Sequence, residues 1–434
     1  MLNTLNDVLN NVDNFIWGMP LIILILFTGI LLTVRLRGLQ IRHLGKALHY
    51  VFHNEDDGEG EVTSFGALCT ALSATIGTGN IVGCATAIVA GGPGALFWMW
   101  LAAFFGMATK YAEGMLAVKY RVIAEDGHAL GGPFYYIEKG MGKNFKWLAK
   151  LFCVFGTMVG LFGIGTFTQV NGITSAVNNF FDPSNVHTIS LFGMNYSISV
   201  VVAGIIVTIC AGLVIIGGIK RISKVSEVIV PFMAVTYIGV CLIIVFTHLP
   251  QVPAAFAEIV QSAFGLKAVA GGAIGAMTVA MQKGIARGIF SNEAGLGSAP
   301  IAAAAAQTNE PVRQGLVSMT GTFIDTIIVC TMTGLAIVMT GAWDMGLEGV
   351  AVTTKAFALG LPFPAKASAF VLMMCLVFFA FTTILGWAYY SERCLEYLVN
   401  GKKFVITAFK WFYILAVFIG PFMTVSAVWT KIGR

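Results

Sequence analysis

The chain has 434 residues, of which 57% are hydrophobic and only 11% charged, against about 25% charged residues in an ordinary soluble domain. That composition excludes a soluble globular protein and leaves material for about ten bilayer-crossing helices of about 20 residues each, so residues 1–434 are expected to form one transmembrane domain. The formal charge of +5 does not indicate nucleic-acid binding, because the Lys and Arg residues sit in short clusters between apolar runs. The eight cysteines lie in or beside apolar runs with no CxxC pair, which argues against both a disulfide scaffold and a zinc site. The first 15 residues carry Asp7 and Asp13 and no basic cluster, so the apolar run after them is expected to be a retained span.

Apolar runs long enough to cross a bilayer follow one another at 16–36, 64–90, 95–119, 148–178, 197–218, 225–247, 262–290, 312–341, 366–398 and 404–430. Basic residues follow the first (Arg35, Arg37, Arg42, Lys46), the third (Lys119 to Lys150) and the fifth (Lys220, Arg221, Lys224). They also flank the connections after the seventh (Lys283, Arg287, Arg313) and the ninth (Arg393, Lys402, Lys403, Lys410), while the alternate connections are nearly bare. The positive-inside rule then makes the basic loops cytoplasmic, puts the N-terminus outside and starts the second span from the cytoplasm. Ten spans leave Lys431 and Arg434 on the outer side, which leaves open a trivial exception to the charge rule or a further span missing from this chain.

The second span reads ALSATIGTGNIVG from Ala71 to Gly83, with Gly77 and Gly79 bracketing Thr78 and with Asn80 following. Glycines so placed weaken a helix and free its backbone groups; the alternative is that they let two helices pack closely. In the third span Glu113 lies deep but one turn from Lys110, which leaves a functional carboxylate and a paired boundary residue both open. Gln169 lies mid-way along the fourth span beside Phe167 and Asn171. The seventh span mirrors the second, with Gly271, Gly272 and Gly275 near its start and Gln282, Lys283, Gly284, Arg287 and Gly288 near its end. Asp325 is the deep carboxylate of the eighth. The ninth carries Thr382 and Thr383, with Trp387 four residues beyond Thr383. Adjacent hydroxyls suit a hard cation such as sodium, with β-branched packing as the alternative. Isolated Asn, Gln and Thr residues within spans also serve as helix-to-helix hydrogen bonds.

Two glycine-interrupted spans, five spans apart and each opening one half of the chain, point to inverted repeats around a midplane site. The first span is then an extra helix (16–36), residues 64–247 form the first repeat, and residues 262–430 form a second repeat lacking its last helix. Half-helix N-termini suit a carboxylate, and freed carbonyls suit a cation, so a zwitterionic substrate fits.

Four stretches carry a resemblance: ATIGTGNIVGCATAIVAGGPGALFWMW (Ala74 to Trp100), GMATKYAE (Gly106 to Glu113), GGPFYYIEKG (Gly131 to Gly140) and RGIFSNEAGLGSAPIA (Arg287 to Ala302). The chain resembles the alanine or glycine:cation symporters through most of its length. The resemblance implies an all-α, leucine-transporter-like fold of two inverted five-helix repeats with broken first and sixth core helices, preceded by one extra helix, in a prokaryotic cytoplasmic membrane. It implies uptake of alanine or glycine with sodium, or in some members with protons. It also implies that the backbone of Thr75, Gly77, Thr78 and Gly79 and the side chain of Asn80 contact the substrate's carboxylate and amine. Met277 and Trp387 would wall the pocket, with Phe167 beside them and Gln169 as a polar contact. The carbonyls of Ser73 and Ile76 and the hydroxyls of Thr382 and Thr383 would hold sodium. SNEAG (Ser291 to Gly295) is expected on the cytoplasmic side, as a cap for a re-entering helix or as an inner gate. Two departures are the Ala303 that replaces a usual histidine after SAP, and the absence of a further helix after Trp429.

The expected activity is sodium-coupled import of small neutral amino acids by alternating access, with proton coupling as the alternative and a channel as a distant one. No enzyme motif such as HExxH or GxSxG is present. Sodium is the coupling ion with no organic cofactor, and the partners are the lipid bilayer and the amino acid, with neither nucleic acid nor an obligatory protein partner. A cysteine placed at Lys143 is expected to react with an impermeant thiol reagent only from the cytoplasmic side, and one at Asp182 only from outside; labelling of Lys143 in intact cells would undo the inverted assignment.

Overall fold

The computed structural model of the protein describes residues 18–53, 58–124, 127–191, 194–266 and 272–423. Asp7, Asp13, Gly271, Trp429, Lys431, Arg434 and the ends of the first and tenth expected spans (16–17 and 424–430) lie outside the described residues. Helix α1 (Met19–Arg35) carries Pro20 in its first turn, where a missing N–H costs little, and ends before left-handed backbone at Arg37 and Gly38.

The second span is interrupted where the sequence places its glycines. Helix α2 (Ser64–Thr75) is capped by Thr63, whose Oγ1 accepts from the Gly66 amide at 2.9 Å. After Ile76 to Thr78 the chain resumes as a π-helical turn (Gly79–Gly83) and helix α3 (Cys84–Gly91), bent by 52° from α2. Gly77 has no room for a side chain, since a Cβ there would sit 2.5 Å from Thr383 Oγ1. Helix α4 (Gly94–Tyr120) follows, and a two-stranded hairpin pairs β1 (Val122–Ile123) with β2 (Ala129–Leu130).

The expected single span at 148–178 is two helices, α5 (Lys146–Phe162) and α6 (Phe167–Phe181). Polar side chains hold this unforeseen break. Thr166 Oγ1 donates to Leu161 O at 2.7 Å, and the Tyr413 hydroxyl donates to Gly165 O at 2.9 Å. A hairpin of β3 (Thr188–Leu191) and β4 (Met194–Ser197) leads into α7 (Ile198–Ile215), α8 (Gly218–Thr247) and the short α9 (Val252–Ala263).

The seventh span differs most from expectation. Helix α10 (Ala273–Asn292) runs without interruption through Gly275, Gly284 and Gly288. Its glycines are packing seats: a Cβ at Gly284 would lie 2.2 Å from Ala95 O, and one at Gly288 would lie 3.3 Å from the Met99 Cα. The break comes after them, at Glu293 to Ser298, before the five-residue α11 (Ala299–Ala303). SNEAG, expected as a cap for a re-entering helix or as an inner gate, carries the break itself; Ser291, Asn292, Glu293 and Ala294 are all buried. The chain continues through α12 (Pro311–Thr322), a π-helical segment (Phe323–Cys330), α13 (Thr331–Met339), α14 (Val350–Gly360), α15 (Ala365–Leu398) and α16 (Lys403–Ile419).

The two interrupted segments run antiparallel. Gly79 abuts Ser291 and Phe290 and Gly91 abuts Ala280 and Lys283, so along α3 and α10 one chain ascends as the other descends; outside these helices Val62 and Ala306 form a local parallel bridge. By length and composition, six helical stretches among the described residues can cross a membrane, with α5–α6 together forming one of them (Lys143–Phe181) and α12 to α13 another (Pro311–Met339), or seven with the bent pair α2–α3. The shortfall from ten has physical causes. Long α4 and α10 carry charges (Lys110, Glu113 and Lys119; Lys283 and Arg287), and only 17 residues of α1 are helical. The outer faces of α7 and α8 present exposed apolar side chains such as Leu213, Val228 and Phe246, as contact with lipid requires.

Gly284→Val should lower the melting temperature of the detergent-solubilised protein, corresponding to about 1–3 kcal/mol of overpacking against α4. Gly275→Ala, where no atom lies within 4 Å of the added Cβ, should be neutral or slightly stabilising by helix propensity. Equal melting of the two variants would remove the packing role of Gly284.

Candidate functional site

Backbone groups released by a helix break in apolar surroundings must find partners, and those of α2–α3 find them through Asn80. Its Oδ1 accepts from the Gly77 amide at 3.0 Å, while its Nδ2 donates to Asp325 Oδ1 at 2.7 Å and to Asp325 O at 3.2 Å. Asp325 Oδ2 accepts from Ser291 Oγ at 2.8 Å and from Thr326 Oγ1 at 2.7 Å, and Thr326 Oγ1 accepts from Asn292 Nδ2 at 3.0 Å. One fully buried carboxylate therefore fastens the first break, the end of α10 and the π-helical segment together. Asn80, expected to contact substrate, spends its amide on this internal clip.

Beside the clip, three expected residues converge. Gln169 Oε1 is buried without a hydrogen-bond partner. A Cβ on Gly77 would lie 3.6 Å from it and 2.5 Å from Thr383 Oγ1, so both oxygens face the Gly77 backbone. Thr383 donates its own hydrogen to Phe379 O at 3.0 Å, which turns lone pairs toward the break. Ser73 and Ile76 are buried in the last turn of α2, where helix carbonyls lack intrahelical partners. These oxygens are neutral and hard, a donor set that suits sodium and not a transition metal. Thr382 is placed differently, because its Oγ1 donates to Phe379 O at 3.0 Å and faces Met233 Sδ at 3.6 Å.

A cavity of about 870 Å³ runs along α10 and is walled by α3, α5 and α15. Of the expected pocket residues only Trp387 lines it, and its Nε1 donates to Glu293 Oε1 at 3.1 Å. Phe290 lines the cavity and also packs against Gly79, so its ring stands between cavity and break. Met277 is not brought here. It lies 14 residues before Ser291 on unbroken α10, about 21 Å along the axis at 1.5 Å per residue. Phe167 packs with Leu161, Ala416 and Met423 and does not line the cavity. Thr78 backs onto Gly172, and Thr75 borders a void of about 10 Å³ with Lys110, Gln314 and Ala303, room for about one water. The pairing of Glu113 with Lys110 is not made. Lys110 Nζ is buried without a hydrogen bond, and Glu113 Oε1 accepts instead from the Gly297 amide at 3.1 Å.

Sequence reasoning missed Glu293. Its signal was a carboxylate between two glycine-rich stretches, inside the SNEAG segment expected as a cap or an inner gate.

Antiparallel interrupted helices, joined by a buried polar clip beside a cavity in an apolar helical bundle, define a membrane transporter. The chain belongs to the sodium:alanine symporter family, whose model matches residues 2–432. It is 55% identical over 428 residues to an uncharacterized transporter of Haemophilus influenzae, covering 98% of this chain and 89% of that one. It is 44% identical over 431 residues to the sodium/alanine symporter AgcS of Methanococcus maripaludis, covering 98% and 90%. A probable sodium/glutamine symporter of Bacillus subtilis, GlnT, is 37% identical over 432 residues, covering 99% and 85%. The family is one of multi-pass transporters for amino acids and not of enzymes.

Asn80→Ala should lower the melting temperature by the cost of leaving Asp325 short of a donor, about 1–3 kcal/mol. Asn80→Asp should do so more severely, because it sets a second carboxylate against the first. Wild-type melting of Asn80→Ala would show that the clip does not hold the breaks together.

Proposed function

We propose that the protein is a sodium-coupled importer of small neutral amino acids, alanine and glycine foremost, in a prokaryotic cytoplasmic membrane with its N-terminus outside. The observation that carries this reading is the juxtaposition at one place of two antiparallel helix breaks, an oxygen set suited to a hard cation, and an aromatic-walled cavity. Two inverted repeats, 64–247 and 262–430, rock about the clip, and the substrate lies between the Gly77 to Gly79 backbone and Trp387. The cation lies among the Ser73 and Ile76 carbonyls, Thr383 Oγ1 and Gln169 Oε1. Both ligands bind against breaks fastened to Asp325, so the binding of each favours the arrangement the other needs. The family membership and the printed names of AgcS and GlnT support the coupling ion and the substrate class.

Proteoliposomes containing the purified protein test this. An inward sodium gradient should drive saturable accumulation of labelled alanine or glycine, and potassium should not. Accumulation driven equally by a proton gradient without sodium would replace the coupling ion, and absence of saturable uptake of either amino acid would overturn the substrate class.

The two threonines should separate in the same assay. Thr383→Val, which keeps the volume but removes an oxygen facing Gly77, should raise the half-saturating sodium concentration about tenfold or more, taking the lost ion–oxygen contact as comparable to a hydrogen bond to a charged group. Thr382→Val should change it little. The reverse order would move the cation site to the Met233 side of α15.

A further inference from the structure

We propose that the Glu293 carboxylate receives the substrate's ammonium and so restricts the site to zwitterions. This rests on the reading of the substrate as an amino acid, and adds the group that recognises its charged amine.

Glu293 ends α10 in left-handed backbone (φ 55°), a conformation that residues other than glycine seldom adopt. Such backbone persists only where the surrounding structure holds it, and here the side chain is held at both oxygens. Trp387 Nε1 donates to Oε1 at 3.1 Å, and Ser298 Oγ donates to Oε2. Both donors are neutral. A carboxylate has about four acceptor sites, so the two bonds leave capacity on a group that is 3% exposed and lies on the wall of the 870 Å³ cavity. Trp387 and Ser298 line the same cavity. Burying a carboxylate is costly without a compensating positive charge. Lys110 is within electrostatic reach, but its Nζ makes no hydrogen bond and so does not bind the carboxylate. A ligand ammonium entering the cavity supplies both the charge and the missing donors.

Two polar groups of the centre keep free oxygens, Gln169 Oε1 facing Gly77 and the Tyr390 hydroxyl on the cavity wall, but both are neutral; the groups of the clip are committed. Asn80 is used by Gly77 and Asp325, and the Asp325 carboxylate accepts from Asn80, Ser291 and Thr326. Among the described residues lining the cavity, Glu293 is the only acidic one. Lys283 and Arg287 line it ten and six residues earlier on α10, about 15 and 9 Å along the axis at 1.5 Å per residue. Their charge draws the carboxylate end of an amino acid into the cavity. Trp387 acts as a positioning residue, since its indole N–H aims the acceptor while its ring closes the wall.

The experiment is displacement of labelled L-alanine from the purified full-length protein in sodium by L-alanine, by L-alaninamide, which keeps the ammonium, and by L-lactate, which replaces it with a hydroxyl. The wild type should prefer alanine to lactate strongly. Glu293→Gln should weaken alanine about 10- to 100-fold, the worth of a hydrogen bond between charged groups, weaken alaninamide similarly, and leave lactate unchanged. Glu293→Asp should weaken alanine less and keep the preference over lactate. Trp387→Phe, which keeps the wall but removes the N–H, should weaken alanine and alaninamide a few-fold and spare lactate. A Glu293→Gln protein that melts like wild type and binds alanine within twofold of it overturns the proposal. If that variant does not fold, unchanged alanine affinity in both Glu293→Asp and Trp387→Phe overturns it. Failure of the wild type to bind any amino acid would overturn the substrate class itself; binding of alanine by wild type and Glu293→Gln alike would overturn only the role of Glu293.

Discussion

The bidding of one buried carboxylate for hydrogen-bond donors organises the centre of this protein. Asp325 is wholly removed from water and draws donors from three segments: Asn80 after the first break, Ser291 at the end of α10, and Thr326 on its own helix. A helix can be interrupted in an apolar bundle only if its freed groups are satisfied by protein. Asn80 meets that condition by taking the Gly77 amide on one end and Asp325 on the other. The placement of Gly77, and with it of the Thr383 and Gln169 oxygens that face it, follows from this clip. So does the course of the chain through Glu293, which begins one residue after Asn292 binds Thr326.

A second constraint acts at the end that carries the basic loops. Arg121, just past α4, donates to four backbone carbonyls: Ala304 at 2.9 Å, Ala306 at 2.6 Å, Thr308 at 2.8 Å and Glu59 at 2.5 Å. The first three follow the second break and the last precedes α2. The same two strands of chain also pair directly, with Gln307 N donating to Val62 O at 2.7 Å and Glu61 N to Ala305 O at 2.8 Å. Gly60 permits the approach, since a Cβ there would lie 2.4 Å from Ala306 O. Any motion that parts α2 from α11 at this end must exchange these bonds for water.

The sequence revealed most where a residue type has a single use at membrane depth. Gly77 and Gly79, set among polar residues in an apolar run, located the first break because no packing role needs Thr78 between them and Asn80 after them. The glycines of α10 have two uses, and the backbone of α4 decides which: Gly284 and Gly288 are seats for Ala95 and Met99, a contact made between segments some 190 residues apart and so invisible to local pattern. The α5–α6 break was written in Gly163 and Gly165, but the run's high apolarity masked it. The misplacements of the pocket have the same origin. Asn80 has the chemistry to bind a zwitterion, and only the partner 245 residues away shows that its amide is spent. Met277 lies far along α10 from Glu293 once that helix is known to be straight, and Thr382 is turned about 100° from its neighbour Thr383.

The division of labour between clip and clasp has an energetic consequence. Moving a two-state equilibrium from 1:99 to 99:1 takes about 5.5 kcal/mol of differential binding, and net hydrogen bonds to charged groups are worth about 1.5–3 kcal/mol each. The four bonds of the Arg121 clasp together come to about 6–12 kcal/mol, more than that shift, so bound ligands offset the clasp only in part, and only if they hold the breaks in an arrangement the clasp does not. The clip makes that transmission direct, because both breaks are fastened to Asp325 and cannot adjust separately. A cation drawn to the end of α2 and a substrate drawn to Glu293 would each pull on a different break, yet both act on the one carboxylate that joins them. Coupling in such a design needs no contact between the two ligands; it needs only that neither break can move without the other.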